Sequence, residues 1–433
     1  MSIETRPTER LAIDGGAPLR TEPFGPRWIF GDAERRQLME VMDNAPTGWR
    51  SQFKVQEFAD RFATIHRAQY AVATTSGSGA IHAAVAAIDP EPGDEIITTP
   101  TSDIGTVLGI VLQNAVPVFA DWDPETFNID PADVERRITP RTRAILLVHL
   151  FGNPCDMDAF VSLGRRHNLP IIEDCSQAHL AEYQGRLVGT IGDIGAFSLG
   201  GKTLTTDQGG MVITNNEALA RRAMGFSRKG AELDSALRSS LAPTSYRRGS
   251  PRGYAFLGDF HPMTDLEAAV GLAQLDRWLE ATRVRRRTAA ILDEVVGALP
   301  GFHIQKVRPG DRSSYYVYGY RIDESVAGVT SDRFADAVQA EGIPDCYGAY
   351  IQGKPLYDYP IFAEERTYGR SRYPFVDERG HRRIDYGTLH LPVVERLLPH
   401  TGFILFRNSY TEQDALDIAA AMRKVARQYA ALR

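Results

Sequence analysis

Four short segments carry residue types and spacings that could do chemistry. The first, Thr75-Ser76-Gly77-Ser78-Gly79, stands between a β-rich run and the alanine-rich stretch Ala80 to Ile88. Glycines there would let the backbone approach an anion, and the free N–H groups and dipole at a helix N-terminus would attract it. The second, Glu173-Asp174-Cys175-Ser176-Gln177-Ala178-His179, follows the apolar run Pro170-Ile171-Ile172. A carboxylate at that point can keep a heterocyclic nitrogen protonated, because a nearby negative charge raises the pKa of the cation. The third, Phe197-Ser198-Leu199-Gly200-Gly201-Lys202-Thr203, sets a lysine beside two glycines, a setting for an amine that condenses with an aldehyde. Its Gly-Lys-Thr ending does not make a P-loop, because the first glycine of that motif would fall at Ala196. The fourth, Asp207-Gln208-Gly209-Gly210, has turn chemistry and leads into the run Met211–Thr214.

In chain order these segments give an anion cradle, a strand-end acid, and then Ser198 and Lys202. Pyridoxal 5′-phosphate (PLP) requires such a set: a site for its phosphate, an acid at its pyridinium nitrogen and a lysine for its aldehyde.

The elements that must position these residues alternate along the chain. Short β-rich runs at 70–74, 95–99, 116–119, 144–148, 170–173, 194–197 and 211–214 are separated by helical patterns. That alternation predicts βαβ crossovers and a sheet covered on both faces, with ligands bound outside the carboxyl ends of the strands. A hydrophilic loop is expected over Arg228–Arg252, then one helix from about Thr264 and another near Arg285–Ala298. The division that follows is an N-terminal arm (1–45), a large α/β domain (46–285) and a smaller α+β domain (286–433). That last segment mixes short strands such as Tyr315–Arg321 with helices around 331–341 and 411–430.

Composition narrows the function classes. The 433 residues carry 49 Lys+Arg against 55 Asp+Glu, a net charge of −6, which offers no electrostatic footprint for nucleic acid or an anionic membrane. Cys155, Cys175 and Cys346 are too few and too scattered for a disulfide framework or a zinc site, so no metal is expected. No apolar run approaches the ~18–20 residues of a membrane span. The N-terminal Met-Ser-Ile-Glu-Thr-Arg stretch lacks the apolar region of a signal peptide, and a cytoplasmic enzyme is expected.

The chain resembles the DegT/StrS family of fold-type I PLP sugar aminotransferases over nearly its whole length. The resemblance rests on Ser76-Gly77-Ser78 with Ala80-Ile81, Pro92-Gly93-Asp94-Glu95, Asp121 to Thr126, His149-Leu150-Phe151-Gly152 and Asp156-Met157-Asp158. It continues through Glu173 to His179, Gly192-Asp193, Phe197-Ser198, Lys202, Gly209-Gly210, Ala268 to Gly271, Gln274-Leu275 and His390 to Arg396. The opening Leu11 to Gly16, Pro18-Leu19-Arg20 and Pro26-Arg27-Trp28 is similar to the branch that aminates cyclitol ketones for aminoglycosides.

The resemblance implies a large seven-stranded, mostly parallel sheet domain with a smaller C-terminal α+β domain. It implies Lys202 as the amine that joins the cofactor and shuttles the substrate proton, and Asp174 as the acid at the pyridinium nitrogen. Gln177 would bond the phenolic oxygen, and Ser76, Gly77, Ser78 and Ser198 would surround the phosphate. His179 would be a neighbour, with His82 and His149 structural. Ile104 stands where the family has an aromatic that stacks on the ring, preceded by Asp103. The partner subunit's usual Gly-x-Asn-x-Arg-Met reads Gly258-Asp259-Phe260-His261-Pro262-Met263, and Gln208 replaces the usual acid before Gly-Gly. The spacing from Phe197-Ser198 to Lys202 is also one residue shorter than usual.

The expected activity is transfer of the amino group of L-glutamine, or L-glutamate, to a keto-sugar or keto-cyclitol, in a homodimer. Trp49-Arg50, the Arg228–Arg252 loop and the region of Tyr347 are candidate sources of substrate contacts. The departures around the cofactor leave two alternatives: a PLP lyase, dehydratase or oxidative enzyme, and a non-catalytic PLP- or sugar-binding regulator.

Overall fold

Each of the seven apolar runs forms a strand whose side chains alternate between two separate cores. In chain order the strands are β1 (Tyr70–Thr74), β2 (Glu95–Thr98), β3 (Val116–Phe119), β4 (Thr142–Val148), β5 (Ile171–Asp174), the hairpin β6 (Glu182–Tyr183) and β7 (Arg186–Leu187), β8 (Ile194–Ser198) and β9 (Gly210–Thr214). The computed structural model describes residues 10–44, 53–231, 253–377 and 379–431. Among them, the seven-stranded sheet has the order β1-β9-β8-β5-β4-β2-β3. β9 runs antiparallel to β1 and β8, while the pairs from β8 through β5, β4 and β2 to β3 are parallel.

The helices of this half are α1 (Asp32–Asp43), α2 (Phe53–His66), α3 (Gly77–Ile88), α4 (Gly105–Leu112), α5 (Pro131–Arg136), α6 (Met157–His167), α7 (Glu217–Phe226) and α8 (Asp265–Val296). Ile96, Leu146, Ile172, Ile194 and Val212 pack with Ile81 and Val85 of α3, Val107 and Ile110 of α4, and Ala223 of α7. Their sequence neighbours Ile97, Ile145, Leu147, Ile171, Phe197, Met211 and Ile213 pack with Phe58 and Phe62 of α2, Phe160 of α6, and Leu272, Leu275 and Trp278 of α8. The two-residue period of a strand therefore serves two helix layers at once.

A third core lies around the small antiparallel sheet, formed by β10 (Phe302–Ile304), β11 (Val317–Ile322), β12 (Cys346–Tyr347) and β13 (Thr401–Leu405) in the order β10-β11-β13-β12. Tyr318, Tyr320, Phe334, Ile418 and Met422 fill it. Residues Leu356, Tyr357, Phe362, Phe375, Tyr386 and Leu391 belong to the same C-terminal segment but pack into the first core, beside Phe119.

The two helices expected over 264–298 are one helix, which corrects the sequence reading. No glycine or proline interrupts residues 272–296, so nothing stops α8, and it runs for 32 residues, roughly 48 Å. Thr264 caps it by accepting from the Glu267 N–H while Glu267 reaches back to the Thr264 N–H. Its first half is buried in the second core and its second half, through Ala289, Leu292 and Val296, in the third. Gly271 is required where α8 crosses α2, since a Cβ there would stand 2.7 Å from Phe58 Cζ.

The N-terminal arm lies over this frame. Glu341 accepts from the N–H groups of Ala12 and Leu19, and α1 is tied to α8 through Glu34, which accepts from Gln274 and Arg277.

His66 ends α2 inside the second core, stacked on Phe62 with centroids 4.4 Å apart and donating from Nδ1 to the Phe62 carbonyl. Burial lowers its pKa from 6.5 to about 4, despite that hydrogen bond. The unfolded chain therefore takes up a proton here that the folded chain refuses. Stability should fall as pH drops from about 6.5 to 4, by up to about 1.4 kcal/mol per pH unit for this group. Urea unfolding across that window should show the decline, and His66→Gln should remove about one proton from its slope whatever its effect at neutral pH.

Candidate active site

The two acids at the end of β5 have different work because a strand sends adjacent side chains to opposite faces. Glu173 points to the layer of α2, α6 and α8 and is fully buried. It accepts from the N–H groups of Gly189 (2.7 Å), Ile191 (2.8 Å) and Gly192 (2.6 Å), and from His149 Nε2 at 3.0 Å. His149 Nδ1 accepts from the Cys155 N–H, which puts the imidazole proton on Nε2. Burial alone would raise the Glu173 pKa, but His149 and these N–H groups outweigh it and lower it. Glu173 is thus a structural rivet between β5 and the loop that leads into β8.

Asp174 faces α4. Thr106 Oγ1 donates to its Oδ2 at 2.8 Å and the Ser176 N–H to its Oδ1 at 2.9 Å. Gln177 accepts from the Phe151 N–H at 2.8 Å and donates to the Tyr350 hydroxyl at 3.3 Å. His179 Nε2 donates to the Ser198 carbonyl at 2.9 Å, and burial lowers its pKa to about 3, so the ring is neutral. That fits a neighbour rather than an acid catalyst.

The glycine-rich turn after β1 opens α3, as its sequence predicts. Ser76 caps the helix by accepting from the Gly79 N–H. A Cβ on Gly77 would lie 2.3 Å from Ser198 Cβ, so only glycine fits where the end of β8 meets this helix N-terminus. Ser78 is exposed beside the start of α4, where the Gly105 N–H donates to Asp103. Ile104 stands at that same start, 37% exposed. The structure therefore brings together Gly77, Ser78 and Ser198, with α4 linking them through Thr106 to Asp174.

Lys202 lies on the loop between β8 and β9, with Nζ 4.3 Å from the centre of the Tyr316 ring. Three consecutive carbonyls of this loop are held by side chains from elsewhere. Arg27 donates to Gly201 O (3.1 Å), Trp28 Nε1 to Lys202 O (2.9 Å) and Asn408 Nδ2 to Thr203 O (2.9 Å). Arg285 is fully buried and donates to Asn408 Oδ1 and to the carbonyls of Tyr315 and Tyr316. Burial would raise the Tyr316 phenol pKa, but Lys202 and Arg27 outweigh it and lower it.

The His149-Leu150-Phe151-Gly152 motif explains how Tyr316 arrives there. Phe151 and Gly152 both have left-handed backbone, with φ of 63° and 100°. A Cβ on Gly152 would lie 2.7 Å from Tyr315 N, so the 314–316 segment leading into β11 can approach closely and hydrogen-bond to Phe151 O and Gly152 O. Sequence reasoning singled out the motif but missed Thr106, Tyr316, Tyr350, Arg27 as a site residue, and Asn408. No local signal marks them, because each reaches the site only through tertiary packing.

The remaining candidates fall elsewhere. Phe260 is 53% exposed and carries Lys229 Nζ 4.6 Å from its ring centre, on a loop whose His261 carbonyl accepts from the Thr75 N–H. Tyr347 stacks on Phe403 with centroids 5.0 Å apart. Trp49-Arg50 and most of the Arg228–Arg252 loop lie outside the described residues. Among the described residues, two groups of ligand-type side chains lie within 4.8 Å, His149/Glu173/Cys175 and His82/Asp259/His261. In the first, the hydrogen bonds above occupy both His149 nitrogens and the Glu173 oxygens. In the second, His82 Nε2 is 2.9 Å from the Gln113 amide nitrogen.

Comparison with known proteins agrees with this geometry. The model of the DegT/DnrJ/EryC1/StrS aminotransferase family matches residues 31–399. The L-glutamine:2-deoxy-scyllo-inosose aminotransferase of Micromonospora echinospora is 35% identical, covering 98% of this chain and 99% of the relative. The protein of the same name from Streptoalloteichus tenebrarius is 34% identical with the same coverage. The crystal structure of DesI in the presence of its TDP-sugar product superposes with a TM-score of 0.77 at 26% identity, covering 98% of this chain and 97% of that one.

The division of labour between the two acids is testable by unfolding. Glu173→Ala strands His149 and three N–H groups and should cost about 3–5 kcal/mol. Asp174→Asn should cost about 1–2 kcal/mol, since it loses one acceptor role at the site's edge. Equal losses in denaturant melts would contradict the assignment.

Proposed function

This chain belongs to the DegT/DnrJ/EryC1/StrS aminotransferase family, and we propose that it moves the amino group of L-glutamine, or alternatively L-glutamate, onto a keto-cyclitol or keto-sugar with PLP as cofactor. The architecture is that of fold-type I aminotransferases. Near-full-length identity of 34–35% to two enzymes named for L-glutamine and 2-deoxy-scyllo-inosose supports the choice of donor and acceptor class. The resemblance of the opening Leu11 to Trp28 to the cyclitol-aminating branch supports a role in making an aminoglycoside-type product.

One observation carries the reading: a lysine, a strand-end carboxylate and an anion cradle converge on one edge of the sheet. The fit to PLP is specific. Because Gly77 has no side chain, Ser198 packs directly against this helix N-terminus, and its hydroxyl together with the N–H groups of α3 would receive the phosphate. Asp174, held by Thr106 and the Ser176 N–H, is oriented as the partner of a ring nitrogen. The Gln177 amide, held by Phe151 and Tyr350, would bond the phenolic oxygen, and Ile104 would cover the ring by dispersion. Bound there, PLP would supply an electron sink and carry the amino group between the two half-reactions.

The chain's own residues would do the rest. Lys202 would hold the cofactor through Nζ, and the same amine, when free, would serve as the base that moves the proton at the substrate carbon. The clamp on its three loop carbonyls fixes the backbone that carries Lys202, which would lower the cost of positioning its amine. Tyr316 lies against the ammonium and stabilises it when it carries the proton.

We also propose a homodimer. The exposed apolar side chains Phe30, Met39, Met42, Leu257 and Phe260 support it, since a monomer rarely leaves such surface to water. No described helix is long and apolar enough to cross a membrane. Three buried cysteines, all free, suit the reducing cytoplasm.

Purified protein loaded with PLP should show a visible absorption band that Lys202→Ala abolishes. L-Glutamine should bleach that band, and 2-deoxy-scyllo-inosose should restore it while product amine appears. Asp174→Asn should slow the donor half-reaction by about a hundredfold or more. A band that no amino donor bleaches would point to different PLP chemistry. Light scattering should give twice the mass of the chain, and a monomer would contradict the dimer.

A further inference from the structure

The site carries more positive charge than it compensates. Arg27, Lys202 and Arg285 lie around Tyr316, and none pairs with a carboxylate among the described residues. Arg285 spends its donors on neutral oxygens of Asn408, Tyr315 and Tyr316, so its role is complete. Arg27 is different. It donates to Gly201 O at 3.1 Å and weakly to the Tyr316 hydroxyl at 3.4 Å, lies 4.5 Å over the Trp28 ring, and leaves a buried Nε without a partner. A half-buried guanidinium with an orphaned donor beside a reactive lysine is a site waiting for an anion.

This inference rests on the aminotransferase reading and deepens it. We propose that Arg27, brought in by the N-terminal arm, receives the α-carboxylate of the amino donor. The chemistry requires a carboxylate site in this place. The α-carboxylate is attached to the same carbon whose proton Lys202 removes, so its binding group must stand within a few bonds of Nζ. The phosphate has the cradle at Gly77 and Ser198, and the ring nitrogen has Asp174, so neither competes for Arg27.

The arrangement also explains how one pocket takes two unlike substrates. A cyclitol or sugar ketone has hydroxyls where the donor has a carboxylate. When the neutral substrate is bound, Arg27 keeps its neutral partners Gly201 O and Tyr316 OH and no buried anion is missing. When the donor is bound, the guanidinium exchanges the 3.4 Å contact for a charge-assisted pair, which is shorter and stronger. Arg27 therefore braces Gly201 throughout, while its carboxylate-binding role serves one half-reaction only.

The test compares wild type with Arg27→Met and Arg27→Lys. Glutaramate, which has the donor's carboxylate and amide but no amine, gives a binding readout by calorimetry without turnover. Arg27→Met should weaken it by at least about tenfold, with Arg27→Lys intermediate. In single-turnover absorption measurements, Arg27→Met should slow the L-glutamine half-reaction by about a hundredfold. The reverse half-reaction with an aminocyclitol, which has no carboxylate, also loses the brace on Gly201 O but should slow at least about tenfold less. Unchanged glutaramate affinity overturns the proposal. Equal losses in both half-reactions also overturn it, and leave Arg27 as a brace for Gly201. If wild-type protein reacts with no amino donor while an aminocyclitol still converts it, the carboxylate site falls but PLP transamination stands. If neither converts it, the aminotransferase reading falls and this inference with it.

Discussion

Everything at this site depends on holding one loop still. The Gly201-Lys202-Thr203 segment has no strand or helix of its own, and Gly201 adopts a left-handed backbone with φ of 64°. Its three carbonyls are instead fixed by Arg27, Trp28 and Asn408, two from the N-terminal arm and one from beyond the last strand of the small sheet. Each bond is worth about 1 kcal/mol in isolation. Their shared effect is larger than that sum suggests, because together they remove the freedom of a segment that would otherwise have to be ordered at each turnover.

The same clamp joins the parts of the chain mechanically. Arg285 sits near the middle of α8, bonds Asn408 on one side and the backbone of Tyr315 and Tyr316 on the other, and is buried without a counter-ion. Burial lowers its pKa to about 9, so it is still charged near neutrality. An isolated buried charge is costly, and the four hydrogen bonds to three oxygens offset that cost only while all of them hold. α8 therefore does more than bridge two cores: it carries the group that sets the distance between Lys202 and Tyr316.

Glu173 and Asp174 show how adjacent residues of one type are sorted by a strand. The first is saturated by four donors and fastens the sheet edge, while the second keeps its carboxylate at the edge of the site with two light contacts. His149 belongs to the structural half of this pair. Left-handed backbone at Phe151 and Gly152, two and three positions after His149, lets the segment carrying Tyr316 come close enough to complete the pocket.

The sequence by itself determined what is local. The seven strands follow from short β-branched runs bounded by turn residues, and the cradle at Gly77 from a strand-turn-helix signal. The paired acids at a strand end and the lysine after two glycines were legible for the same reason, since strand alternation and helix N-termini are short-range facts. The resemblance in motif order carried the family. The break expected within α8 was misread because weak apolar patterning there reflects a change of partner from one core to another, not a change of conformation. Only the tertiary structure decided which of the two acids is the rivet, that Thr106 braces the other, and that Arg27, Trp28 and Asn408 meet at the lysine loop. Those contacts join residues more than 170 positions apart for the arm and more than 200 for Asn408. At that separation nothing in the residue pattern records them, because they exist only once three cores have packed and brought the chain back upon itself.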